Sequence, residues 1–182
     1  MMRIIGISGS LRRSSFNTSL LRAAQSLLPD DVELAIAPIA EIPLYNADDE
    51  AASGVPKVVA DLKDQIADAD ALLISTPEYN NSMPGVLKNA IDWLSRPAKD
   101  APRVFGELPV ALMGASPGRF GTVLSQNAWL PVMRTLGAEL WSGRLLVAGA
   151  GKLFDEAGQL TDTDTRERLE KFIDGFVEFV RG

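Results

Sequence analysis

The stretch "GISGSLRRSSFNTSLLRAA" (Gly6–Ala24) changes period in the middle. With the residues before it, "RIIGIS" (Arg3–Ser8) is short and β-branched, the composition of a strand buried on both faces. Downstream, Leu20, Leu21, Ala24, Leu27 and Leu28 fall at helical spacing, and Asn17 or Thr18 suits the N-cap. Between the two lies one turn holding Ser10, Ser14, Ser15, Arg12, Arg13 and Asn17. A buried strand that runs through a polar turn into an amphipathic helix is the opening unit of a parallel α/β sheet.

The unit recurs along the chain. "VELAIA" (Val32–Ala37) reads as a second strand, followed by a long loop whose acidic part, Asp48–Gly54, is expected to be solvated. Pro56 opens a helix with Val58, Val59, Leu62 and Ile66 on one face, and "ALLIS" (Ala71–Ser75) is a third strand. Pro84 opens a helix carrying Leu87, Ala90, Ile91 and Leu94, and Leu108–Ser116 is a fourth strand. A helix over Val123–Leu136, a fifth strand near Leu140–Val147 and a C-terminal helix with Leu169, Phe172, Ile173, Phe176 and Val180 complete the pattern. Five β-α units without a linker or repeat predict a single domain over residues 1–182, a parallel sheet covered on both faces.

Composition narrows the chemistry. The 182 residues carry a formal net charge of −6, which argues against a broad nucleic-acid surface. No run approaches the length of a membrane span, and "MMRIIGIS" is too short for a signal peptide, so the expectation is a cytoplasmic protein that binds neither nucleic acid nor membrane. There is no Cys and no His. Thiolate nucleophiles, cysteine zinc sites, a Ser-His-Asp triad and an imidazole base are therefore excluded, and with them a low-molecular-weight phosphatase. No metal site is expected. Chemistry is left to carboxylates, hydroxyls, Lys, Arg, a hard metal or a bound cofactor.

In such a sheet, ligands bind beyond the carboxyl ends of the strands. The loops there read "SGSLRRSSFNT", "TPEYNNSMPG" and "GASPGRFGT". The first offers hydroxyls, an amide and guanidinium ahead of a helix N-terminus, a setting that favours a phosphate. The same residues would also serve a capped helix with a solvated entrance. A P-loop is absent, and Gly6 and Gly9 do not complete the dinucleotide fingerprint, so a phosphate monoester is the better fit. Tyr79 in the second loop could lie against a flat ring or simply pack; the Gly118 turn could admit a ligand or be an ordinary connection.

"GSLRRSSFN" followed by "TPEYNNSMPGVLKNAIDWLSR", with "EIPLYNAD" between them, resembles the NAD(P)H-dependent FMN reductases, the chromate and quinone reductase group with its azoreductase-like members. The likeness spans nearly the whole chain. It implies a flavodoxin-like three-layer sandwich with a five-stranded sheet ordered 2-1-3-4-5, binding FMN non-covalently, with NADPH or NADH as co-substrate. It implies that Ser10, Arg12, Ser15, Asn17 and Thr18 hold the phosphate. Pro77, Glu78, Tyr79 and Asn80 would line the ring largely through backbone groups, and Ser116 with Gly118 would complete it. No protein residue would be catalytic, because the flavin carries the reaction. A homodimer or homotetramer is implied, with the Leu87–Arg96 helix at the interface; Trp93 has three readings, core, interface or rim of a shared active site, of which the interface is favoured. Pro131 is expected to interrupt the helix after the fourth strand. Arg119 has two readings, a handle for the donor's phosphates or a solvated surface arginine. The acceptor would be a small molecule: a quinone, chromate, an azo or nitro compound, or free flavin. The rival readings are a flavodoxin-like electron carrier and a non-flavin binding protein on the same fold.

Overall fold

A computed structural model describes residues 1–182. Five strands, β1 (Met2–Ser8), β2 (Val32–Ala37), β3 (Ala71–Ser75), β4 (Pro109–Ala115) and β5 (Glu139–Val147), pair in parallel in the order β2-β1-β3-β4-β5. This is the flavodoxin-like order that the resemblance implied. β3 is buried at every position, which is why its sequence carries no charge.

The crossovers divide the helices between two faces. α1 (Phe16–Gln25) and α7 (Thr163–Arg181) cover one, where Leu20, Leu21 and Ala24 meet Leu169, Phe172 and Phe176 over Ile4 and Leu73. α3 (Lys57–Ala67), α4 (Gly85–Leu94) and α6 (Val123–Leu136) cover the other around Ile5, Ile74 and Leu112. Burying such a side chain is worth about 1.5–3 kcal/mol, so the two apolar stripes hold the layers together.

Three expectations need correcting, and one helix was not foreseen. The acidic stretch is not all loop: Ala47–Ser53 forms a short helix, α2, whose N-cap Asn46 accepts the Asp48 N–H at 3.0 Å. Its first turn carries Asp48, Asp49 and Glu50, which suit the positive end of a helix. A further short helix, α5 (Ala101–Phe105), precedes β4 and buries Val104 and Phe105. Pro131 does not interrupt α6, which continues to Leu136 and closes on the left-handed Gly137.

Trp93 is core, not interface. It is 1% exposed, its Nε1 donates to the Pro43 carbonyl at 2.9 Å, and the Tyr45 ring meets it edge-on at 5.0 Å. Asn89, Trp93 and Arg96, spaced as one stripe along and just beyond α4, all reach this same loop. Asn89 Oδ1 accepts the Tyr45 N–H, its Nδ2 donates to Pro43, and Arg96 Nε donates to Glu50, which also accepts from the Tyr45 hydroxyl. The loop after β2 is thereby stapled to α4.

Candidate active site

The site grows from the end of β1. The Gly9 N–H donates to the Ser75 carbonyl on β3 at 2.9 Å, which carries the chain over the sheet edge before α1 begins. Ser15 is the N-cap: its Oγ accepts the Thr18 N–H at 3.2 Å. The backbone N–H groups of Arg13, Ser14, Ser15, Phe16 and Asn17 have no partner in the chain, leaving five free donors in and just before the first turn of α1, its positive end.

The hydroxyls around them are oriented by what they accept. Ser10 Oγ accepts the Arg12 N–H at 3.4 Å, and Ser116 Oγ accepts the Gly118 N–H at 3.0 Å. Like Ser15, each leaves its own O–H free to donate outward. Arg12 stands exposed with Nη2 at 3.5 Å from Ser14 Oγ, and neither Arg12, Arg13 nor Arg119 enters an ion pair.

Asn17 and Thr18 point elsewhere. Asn17 is 3% exposed; its Oδ1 accepts from Ser75 Oγ and the Ala115 N–H, both at 3.0 Å, and its Nδ2 donates to the Ala115 carbonyl at 2.9 Å. One amide thus ties α1 to the carboxyl ends of β3 and β4, and of Asn17's donors only the backbone N–H is left without a partner. Thr18 Oγ1 donates to Ser8 Oγ at 2.9 Å, back toward β1.

The loop after β3 turns on two asparagines. Tyr79 and Ser82 exchange backbone bonds of 3.0 Å across Asn80 (φ 50°) and Asn81 (φ 60°), a type I′ turn that asparagine tolerates better than most residues. Tyr79 is left 46% exposed at the rim. Glu78 faces inward to a different task. Its Oε2 accepts the N–H groups of Leu124 and Ser125 at 2.8 and 3.1 Å, capping α6 from outside where Thr122 provides no side-chain cap. Thr76 joins the same corner, with Oγ1 2.9 Å from Ser125 Oγ and accepting from Trp129 Nε1 at 3.2 Å.

Ser10, Arg12, Ser15, Asn17, Pro77, Glu78, Tyr79 and Ser116 are brought together along a single cleft, joined by Phe16, Ala115 and Pro117. Thr18, Asn80 and Gly118 lie outside its lining. Phe16 was not anticipated, although it sits inside the phosphate-loop motif at the first position of α1. The cleft is narrow, about 60 Å³, so a flat ring laid across its rim would keep one face open. Five free N–H groups, three donor hydroxyls and a guanidinium match a phosphate monoester, and the two loops beyond offer backbone to a ring. The residues fit FMN.

The fold, with an anion cradle at α1 and ring loops after β3 and β4, defines the class of flavodoxin-like α/β proteins. The comparisons then narrow the class. A family model described as NADPH-dependent FMN reductase matches residues 2–151, and the chain belongs to that family. An NAD(P)H-dependent FMN reductase of Pseudomonas aeruginosa is 41% identical over 99% of this chain and 96% of its own length. A 2-hydroxy-1,4-benzoquinone reductase of a Burkholderia species is also 41% identical, over 99% and 97%. Among solved structures, the flavoenzyme NAD(P)H:(acceptor) oxidoreductase FerB of Paracoccus denitrificans superposes with a TM-score of 0.88 at 34% identity, over 100% of this chain and 98% of that one.

Proposed function

We propose that this chain is an NAD(P)H-dependent FMN reductase that delivers the donor's electrons to a quinone. The observation that carries the reading is the run of unpartnered N–H groups from Arg13 to Asn17, set beside the free hydroxyls of Ser10 and Ser15 and the Arg12 guanidinium. When bound, FMN supplies the hydride chemistry between a nicotinamide and an acceptor. The chain's own residues bind and orient. Ser10, Arg12, Ser15 and the α1 amides hold the phosphate. Asn17 contributes through its backbone while its side chain keeps the cradle rigid against β3 and β4. Backbone groups of Pro77–Asn80 and the Ser116–Gly118 turn face the ring edge, where oriented N–H donors stabilise negative charge. No imidazole or thiol exists in the chain to move a proton, so acceptor protonation falls to solvent.

Relatives named for quinones favour that acceptor over chromate, azo or nitro compounds and free flavin. The exposed Val86, Leu124 and Leu130 on α4 and α6 support a homodimer or homotetramer, and a soluble dinucleotide donor supports a cytoplasmic setting. No helix is long and apolar enough to cross a membrane.

The test is a visible spectrum of the purified protein supplied with FMN, before and after anaerobic NADPH, followed by a benzoquinone. Bound yellow flavin that bleaches and is re-oxidised by the quinone at many turnovers is the expected result. Colourless protein that ignores added FMN overturns the cofactor assignment. Flavin that stays oxidised with either nicotinamide donor points to the electron-carrier reading instead.

A further inference from the structure

Two roomier hollows lie along the outer flank of α1, beside the phosphate cradle. The nearer, of about 270 Å³, shares Phe16 with the cleft and is bordered by Arg13, Ser14 and Phe154. The farther, of about 330 Å³, shares Ser19, Arg22, Ala157 and Gly158 with the nearer one and ends at Arg166. The two hollows form one trough outside the cleft, from the Phe16–Phe154 pair (centroids 5.7 Å apart) to Arg166 in α7.

Its far end has unusual electrostatics for a chain of net charge −6. Arg22 and Arg166 reach it from two different helices, no carboxylate lines it, and neither arginine is in an ion pair. The two acids of the trough, Asp155 and Glu156, sit in the nearer hollow. Arg22 in the last turn of α1 suits that helix's dipole, but Arg166 stands in the first turn of α7, where a cation is disfavoured. Ser19, Ser26 and Gln159 add hydrogen-bonding groups. Gly158 (φ 78°) keeps the floor open, since a Cβ there would fall 2.7 Å from Ser19 Oγ.

We infer that this trough docks the phosphorylated adenosine half of the nicotinamide donor, with Arg22 and Arg166 gripping a ribose 2′-phosphate. The inference rests on the reductase reading for the donor's identity, and it makes NADPH the preferred donor. A planar adenine has the partly exposed Phe16 ring, backed by the buried Phe154, as its apolar platform. The two guanidiniums match a phosphate dianion as charge-assisted donors.

The test compares wild type with the Arg22→Gln/Arg166→Gln variant, both loaded with FMN. Calorimetry with 2′,5′-ADP, 5′-AMP and inorganic phosphate is run beside steady-state kinetics with NADPH and NADH. Wild type is expected to bind 2′,5′-ADP in preference to the other two, and the variant to bind it at least about tenfold more weakly. KM for NADPH should rise by a similar factor while KM for NADH and both kcat values hold. Equal binding of 2′,5′-ADP and 5′-AMP, binding of inorganic phosphate alone, or parallel shifts for both donors overturn the inference. So does selective loss of the NADPH effect in Arg119→Ala instead. If neither donor is oxidised yet 2′,5′-ADP still binds through Arg22 and Arg166, the reductase reading fails and the nucleotide trough stands.

Discussion

Asn17 and Arg12 sit five residues apart in one motif and do opposite work. Arg12 has no partner but a neighbouring hydroxyl, so removing it should leave the fold untouched. Arg12→Ala is expected to weaken FMN binding by about 1.5–3 kcal/mol, the range for hydrogen bonds to charged groups, with an unchanged urea midpoint; a flavin fluorescence titration measures it. Asn17→Ala should do the reverse. It strips the Ala115 N–H and carbonyl of their bonds to the amide in a buried corner, at a cost of roughly 1–3 kcal/mol for each group left unsatisfied, so urea unfolding should shift first. Glu78→Gln tests the third assignment. A neutral amide still accepts one N–H but loses the charge at the start of α6. Stability should fall by about 0.5–1 kcal/mol while flavin affinity holds, because the carboxylate faces Leu124 and Ser125. Sequence reading assigned all three residues to one site, and they line one cleft, but it could not separate these duties. Motif spacing reports which loop a side chain belongs to, whereas the direction of an amide or carboxylate is decided by partners as distant as Ala115 and Leu124.

Among the elements, the central strands were legible because burial of all of β3, and of β1 and β4 beyond their first residues, demands uncharged apolar runs. The helices α1, α3, α4 and α7 were legible because one face is buried. α2 was not, since none of its residues is buried and no apolar period marks it; its cap, Asn46, was the available signal. Trp93 was misplaced because a long aromatic on an amphipathic helix reads alike whether a partner subunit or a returning loop covers it. That loop carries a pH prediction. The hydrogen bond from Arg96 holds the Glu50 carboxyl below the usual carboxylate range, with help from the Tyr45 hydroxyl. Lys63 does the same for Asp100, and the bonds from Thr165 do so for Asp162, the N-cap of α7. In each case the folded pKa lies below the unfolded one. The stabilisation is thus complete above the ordinary carboxylate range and is lost as pH falls through the folded values. Thermal melts from neutral pH down to about 3 should show a falling Tm, and Glu50→Gln should start lower at neutral pH and fall less steeply.

Taken as a whole molecule, the sheet order and the three-loop edge follow from the β-α repeat, and the cofactor follows from the loops that the edge gathers. What the repeat could not disclose is close approach between elements. Gly114 is the sharpest instance: a Cβ on it would fall 2.2 Å from both the Thr76 carbonyl oxygen and Thr122 Oγ1. Gly114→Ala is therefore expected to cost about 3 kcal/mol or more by forcing β4 away from β3 and α6, read as a lowered urea midpoint and a loss of bound flavin. The carboxyl rim is built differently. Tyr79, Phe120 and Leu44 stand there 46%, 76% and 82% exposed, while Asn17, Thr76 and Glu78 do the bracing beneath them. Anchoring and display are assigned to separate side chains. A lineage of such proteins can accordingly drift or be bred toward new electron acceptors by altering the displayed set, with little risk to folding.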